Sequence, residues 1–213
     1  MIDLDRNTID LNFFKNLIRE LNRNEHKRLD DIFDSFSRNQ FKSKTKLIKS
    51  LEDLKILDNN SEVVILGSWY GSILVSCLHN KVNKITCFDM DDVTIRVAKN
   101  RIFPNIENVM FATQDVFNIN EGLIESIKNS NLIINTSCEH MPSMKEWPYW
   151  ANVSKNCYFA FTSNNMYNIE GHINCVECIE EFKEQLPENS IVSIEEEITD
   201  ERGTRYLLVG KIS

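Results

Sequence analysis

Six glycines and four prolines in 213 residues are few, and they leave no room for collagen-like, glycine-rich or proline-rich low-complexity segments. No internal repeat is visible either. Apolar runs stay well below the roughly 18 residues that a membrane-spanning helix needs, and Met1-Ile2-Asp3-Leu4-Asp5 has neither the basic region nor the apolar core of a signal peptide. These absences predict a protein with no membrane segment and a cytoplasmic location. Basic excess is missing as well: the net charge is -8, and residues 61 to 213 hold 12 Lys and Arg against 21 Asp and Glu. A polyanion is usually met by a basic footprint, so nucleic acid is the less favoured partner. The lysines at 42, 44, 46 and 49 read as the solvated face of a helix.

Six cysteines, at 77, 87, 138, 157, 175 and 178, fall mostly inside apolar runs. There they act as small core residues, which suits a reducing compartment. His172, Cys175 and Cys178 form a His-x-x-Cys-x-x-Cys string. Tetrahedral zinc needs a fourth ligand, and cysteines at the start of an amphipathic helix serve packing, so no metal is expected.

What is present is alternation. Residues 1 to 60 hold three helical spacings: Leu11, Phe14, Leu17, Ile18 and Leu21; Leu29, Ile32, Phe33 and Phe36; and Leu47, Leu51 and Leu54, the third with Ser43 or Thr45 as its cap. They predict an N-terminal helical extension over 1–60 that covers or shapes a substrate pocket. Asp58 to Ser61 breaks the pattern, and a domain over 61–213 follows. Short apolar runs at 63–66, 84–89, 109–112, 132–135 and 157–161 read as strands. Helical segments at 73–78, 92–100, 121–129 and 175–185, and an aromatic-rich loop or helix at 141–153, lie between and after them. Such a sequence calls for a mostly parallel sheet with helices on both faces. Residues 191–198 and 204–210 flank the turn at 200–203 and make a terminal antiparallel hairpin. The fold expected is a three-layer αβα, Rossmann-like architecture.

Ligands of such a sheet bind outside the carboxyl ends of its strands, where strand order reverses. The first strand runs into Gly67-Ser68-Trp69-Tyr70-Gly71, a turn where missing Cβ atoms let a backbone approach a nucleotide. Asp89 comes 22 positions after Gly67, about where an acid can accept both hydroxyls of a ribose. Met90 is placed to pack on the base, and Asp115 to accept from its exocyclic amine.

The order of these residues, with the closing hairpin, resembles class I S-adenosylmethionine-dependent methyltransferases over residues 60 to 213. The resemblance implies S-adenosylmethionine as cofactor. Gly67 and Gly71, with Ser68 and Trp69 between them, would border its methionine part, Asp89 would hold the ribose, and Asp115 with Met90 and Val116 would surround the adenine. Asn135 ends the fourth strand at the same edge. The family turn commonly has an acid two residues before its first glycine and a glycine two after it; Ile65 and Trp69 stand there.

The acceptor side should lie in Asn135 to Met141, where Glu139 and His140 are adjacent and able to orient an acceptor or take its proton. Ser163, Asn164 and His172 are expected at the same mouth, and Trp147 is expected to line or cover it. No Asn-Pro-Pro-Tyr run and no Pro-Cys pair occurs, so Cys138 is not read as a nucleophile, and the acceptor is taken as a small molecule or a protein nitrogen or oxygen. Two other readings stay open: a methyltransferase-like binding or scaffold module without catalysis, and an RNA or DNA methyltransferase or other nucleotide-cofactor enzyme such as an oxidoreductase. Oligomeric state is not legible.

Overall fold

The structure, a computed structural model, describes Lys15, Asn16, Arg19 and residues 29–213. The first predicted helix lies largely outside the described residues. Helices α1 (Leu29–Asp34) and α2 (Arg38–Asp53) form in the predicted regions, but Phe33 is exposed and Phe36 and Leu54 lie beyond the helix ends. The cap differs: α2 starts after Ser37, and Thr45 in its interior bonds back to the Phe41 carbonyl at 2.7 Å. Threonine inside a helix satisfies its hydroxyl that way, without ending the helix.

Strands β1 (Glu62–Leu66), β2 (Lys84–Asp89), β3 (Val109–Thr113), β4 (Leu132–Asn135), β5 (Tyr158–Asn164), β6 (Ser190–Asp200) and β7 (Gly203–Ile212) form, among the described residues, one seven-stranded sheet in the order β3-β2-β1-β4-β5-β7-β6. β1 pairs in parallel with both β2 and β4, while β7 runs antiparallel between β5 and β6. Burial explains the sequence patterns. In β1 and β4 nearly every residue is buried, as strands covered on both faces require, whereas the edge strand β6 alternates.

Helices α3 (Ser72–Leu78) and α4 (Asp92–Val97) share one face of the sheet with α1 and α2, where Ile32, Leu47, Leu51, Ile65, Leu74 and Ile95 meet in one core cluster. Helices α5 (Glu121–Asn129) and α6 (Ile179–Lys183) lie on the other face, in a cluster with Leu66, Leu123, Phe159 and Phe182. This is the three-layer αβα arrangement. The segment predicted as helix 92–100 changes to a π-helical turn at Ala98–Ile102. Residues 141–153 form 3₁₀ turns at Met144–Glu146 and Trp150–Asn152, with Pro142 before the first and Pro148 between them, where a longer helix would lose backbone bonds. The last helix is much shorter than 175–185, because the Val176 N–H is drawn to the Asn164 carbonyl at 3.0 Å and the chain stays extended through Cys178.

No disulfide forms among the described cysteines, and burial pushes the thiols of Cys77 and Cys157 up to about 11 and those of Cys87 and Cys138 higher. No described helix is long and apolar enough to cross a membrane.

Candidate active site

The chain leaves β1 for β2 and β3 on one side and returns to β4 on the other, so a crevice opens at the carboxyl ends of β1 and β4. A cavity of about 830 Å³ occupies that position. Gly67, Trp69, Asp89, Met90, Asp115 and Val116 line it on the β1–β3 side, and Glu139, His140 and His172 on the β4–β5 side.

The turn after β1 takes left-handed backbone at Gly67 (φ 59°), Trp69 (φ 51°) and Gly71 (φ 65°). Trp69 therefore has a glycine's conformation without being glycine, at a cost of about 1–2 kcal/mol. What holds it is the Asp89 carboxylate, which accepts the Trp69 N–H at 2.7 Å and the Asp91 N–H at 3.0 Å. Side-chain bulk is met differently at Gly67: a Cβ there would come within 2.3 Å of the Met141 methyl, so the β4 loop closes directly over this glycine. Gly71 caps α3 and does not line the cavity, and Ser68 is buried beneath the turn.

Beyond β3, Asp115 accepts the Phe117 N–H at 2.9 Å and the Asn118 amide at 2.8 Å, which fixes the loop as a wall. Met90 is 74% exposed at the rim. Trp147 was expected to line or cover the cavity and does neither. It is buried on the opposite face, where its indole N–H donates to the Val116 carbonyl at 3.0 Å and so props the wall from below.

The other side is built around Glu139, only 2% exposed. One oxygen, Oε1, accepts from Arg205 Nη1 at 2.9 Å and from Asn164 Nδ2 at 2.6 Å; the other, Oε2, is buried with no hydrogen-bond partner. Its backbone carbonyl accepts the Ile173 and Asn174 N–H groups at 2.8 and 3.1 Å, fastening the loop that carries His172. His140 and His172 meet edge to face, ring centroids 4.5 Å apart. Burial lowers the pKa of His172 below the ordinary histidine value, against the opposing pull of Glu139.

Ser163 and Asn164, expected as direct acceptor contacts beyond the fifth strand, are its last residues and fully buried. Asn164 acts through Glu139, and the Ser163 hydroxyl turns to the Asn174 carbonyl at 3.4 Å. Asn135 is also buried off the cavity; its Oδ1 accepts the Ser137 N–H at 2.9 Å and shapes the β4 loop.

Two cavity residues carried no sequence signal. Arg205 sits in an apolar hairpin strand and reads as strand filler; the β5–β7 register puts it beside Asn164 and hence at Glu139. Lys44 belongs to the lysine series read as solvated, yet it is buried in the cavity wall with its ammonium 5.9 Å from the centre of the Trp69 ring. Desolvation, helped by the Arg205 charge and opposed by Glu139, lowers its pKa from 10.5 to about 8.

No protein-family model matches the chain, and no curated protein does. Solved structures do match in fold. An S-adenosylmethionine-dependent methyltransferase from Clostridium acetobutylicum aligns with a TM-score of 0.64 at 13% identity, over 87% of this chain and 98% of that one. The N-methyltransferase NodS from Bradyrhizobium japonicum, in complex with S-adenosylhomocysteine, aligns at 0.61 and 17% identity over 94% and 98%. Magnesium protoporphyrin IX methyltransferase from Synechocystis, also with S-adenosylhomocysteine bound, gives 0.63 at 8% identity over 94% of each chain. The chain has the Rossmann-like fold of class I S-adenosylmethionine-dependent methyltransferases.

Proposed function

We propose that this protein is a methyltransferase that binds S-adenosylmethionine in the cavity and methylates a nitrogen or oxygen of a small molecule or protein. The observation that carries the reading is the Asp89 carboxylate, anchored by the Trp69 and Asp91 N–H groups beside a left-handed turn at the carboxyl end of β1. A carboxylate accepts up to about four hydrogen bonds, so one held by backbone donors can also take a ribose diol.

The residues fit the cofactor in a second respect. Trp69 keeps a backbone conformation at the turn's middle position that costs energy, and strain of this kind persists where a site requires the shape. In this assignment Gly67 and Trp69 border the methionine part, Asp89 holds the ribose, and Asp115, Val116 and Met90 surround the adenine. Ser68 and Gly71 set the turn from behind, and Asn135 positions the β4 loop. When bound, the sulfonium supplies an electrophilic methyl group.

Glu139, His140 and His172 stand on the acceptor side. Their lone pairs can orient an acceptor and receive its proton as the acceptor lone pair takes the methyl carbon. Ser163, Asn164 and Trp147 are positioning residues in this scheme. The described part of the N-terminal helical region serves as a cap on the cavity, since Asp31, Asp34, Ser37 and Gln40 line it.

Incubation of the full chain with methyl-labelled S-adenosylmethionine and fractionated cell extract tests the activity. Label in the small-molecule or protein fraction supports the proposal. Label in RNA or DNA would overturn the acceptor class, and cofactor binding without transfer to any fraction would favour a binding module.

A further inference from the structure

From the positions of Glu139, His140 and His172 we infer a binding site for a first-row divalent transition cation at the acceptor end of the cavity. One ligand atom from each of these residues lies within 4.8 Å of the other two. Two imidazoles and one carboxylate converging with an open side make a ligand set that suits zinc, iron, cobalt or manganese far better than magnesium or calcium.

Two features point to a ligand, and a third shows the frame that holds the site. The first is Glu139 Oε2, a carboxylate oxygen buried without any hydrogen-bond donor, next to an Oε1 that has two. An anionic oxygen left so in a protein interior is costly, and a cation would satisfy it. The second is the tautomer of the histidines. His140 Nδ1 lies 3.1 Å from the Gly171 carbonyl and His172 Nδ1 3.0 Å from the Met166 carbonyl. A carbonyl only accepts, so both Nδ1 atoms carry the proton, and in the neutral rings both Nε2 atoms hold the lone pair. Donation of one ring N–H to a backbone carbonyl is how metal-bound histidines are ordinarily oriented. The third is reinforcement of the carboxylate: Asn164 and Arg205 fix its Oε1, and the Glu139 carbonyl ties down the His172 loop through Ile173 and Asn174.

Tetrahedral zinc with bonds of about 2.0–2.1 Å sets its ligand atoms roughly 3.3 Å apart, so the side chains must close by an ångström or so. His140 is solvent-exposed and can make that adjustment by pivoting about its bond to the Gly171 carbonyl. Because all three residues line the cavity, the remaining coordination position faces it. There it takes a water or an oxygen of the acceptor, so with the cation bound it is the cation, in place of the three ligand lone pairs, that orients the acceptor. The site stands on its own geometry, and only the link to an acceptor rests on the methyltransferase reading.

The test uses the full chain, stripped with a chelator and titrated with zinc in competition with a chromophoric chelator. One zinc per chain is expected. Affinity should fall by more than ~10-fold in His140→Ala and in His172→Asn, because loss of a ligand costs at least the ~10- to 100-fold typical of losing one of its outer-shell partners, and millimolar magnesium should not compete. Cobalt should give visible ligand-field absorption that both variants lose. Equal zinc affinity in wild type and the folded double variant H140A/H172N would overturn the site. The same stripped protein is titrated with S-adenosylhomocysteine: zinc binding without it retains the metal site and removes the cofactor reading, and the reverse result removes the metal site alone.

Discussion

Arg205 and Glu139 stand 66 residues apart in sequence and form an ion pair at 2.9 Å, with both side chains nearly inaccessible to solvent. The pair joins the C-terminal hairpin to the loop after β4, so a strand that closes the sheet also completes the acceptor side of the cavity. Removing one partner strands a buried charge, which typically costs about 3–5 kcal/mol. Arg205→Ala should therefore lower the urea-unfolding free energy by several times more than truncation of an exposed pair such as Lys183–Glu195. In the double variant E139Q/R205M neither member of the pair leaves the other uncompensated, and much of the loss should be recovered.

Trp69 gives a second prediction. Its ring rests partly on the core, but its contribution to the turn is a left-handed backbone and one N–H to Asp89. Trp69→Gly should preserve S-adenosylhomocysteine binding, because glycine adopts that backbone freely. Trp69→Val should weaken it, since a β-branched residue resists positive φ. Calorimetry on the two variants separates the roles of backbone and ring.

Gly67→Ala should be destabilising for two separable reasons: positive φ, at about 1–2 kcal/mol, and the smaller cost of moving aside the flexible Met141 methyl, which its Cβ would meet at 2.3 Å. Adding Met141→Ala relieves only the second. In thermal unfolding the double variant should thus lose less stability than the sum of the two single variants.

Lys44 supplies a pH dependence. Its folded pKa of about 8 lies below the 10.5 of an unperturbed amine. Between those values the unfolded chain holds a proton that the folded chain does not, so raising the pH through this window favours the fold. Below about 8 both forms are protonated and the full burial penalty, at most about 3 kcal/mol, is present. The stability advantage of Lys44→Met over wild type should accordingly be largest at pH 7 and shrink toward pH 10. Arg205→Met removes a like charge beside Lys44 and should move the midpoint of its amine labelling above 8.

The strands were legible because β1, β2 and β4 are short apolar runs bounded by polar residues, and the hairpin because an alternating stretch and an apolar run flank Asp200 to Gly203. Gly67, Asp89, Asp115, Glu139 and His140 could be found because chain order alone places them at the carboxyl ends of strands. Asn164, Ser163 and Trp147 carry polar groups that looked available, but burial commits them to Glu139, Asn174 and Val116. Nothing in a one-dimensional pattern distinguishes a hydroxyl turned to the cavity from one turned to a carbonyl. Arg205 depends on β5–β7 register and Lys44 on how α2 is rotated against the sheet, both of which are set by packing between distant segments. The meeting of His140 with His172 depends on two backbone hydrogen bonds to the Glu139 carbonyl, which no spacing encodes.

Isothermal titration of the full chain with S-adenosylhomocysteine, repeated on Asp89→Ala and with NAD as the competing cofactor class, tests the cofactor assignment most directly. The structure leads us to expect binding of S-adenosylhomocysteine with micromolar affinity, a loss of ~10-fold or more in Asp89→Ala, where ribose hydrogen bonds to a charged group worth about 1.5–3 kcal/mol disappear, and no binding of NAD. Absence of S-adenosylhomocysteine binding, or binding that Asp89→Ala leaves unchanged, would contradict the account.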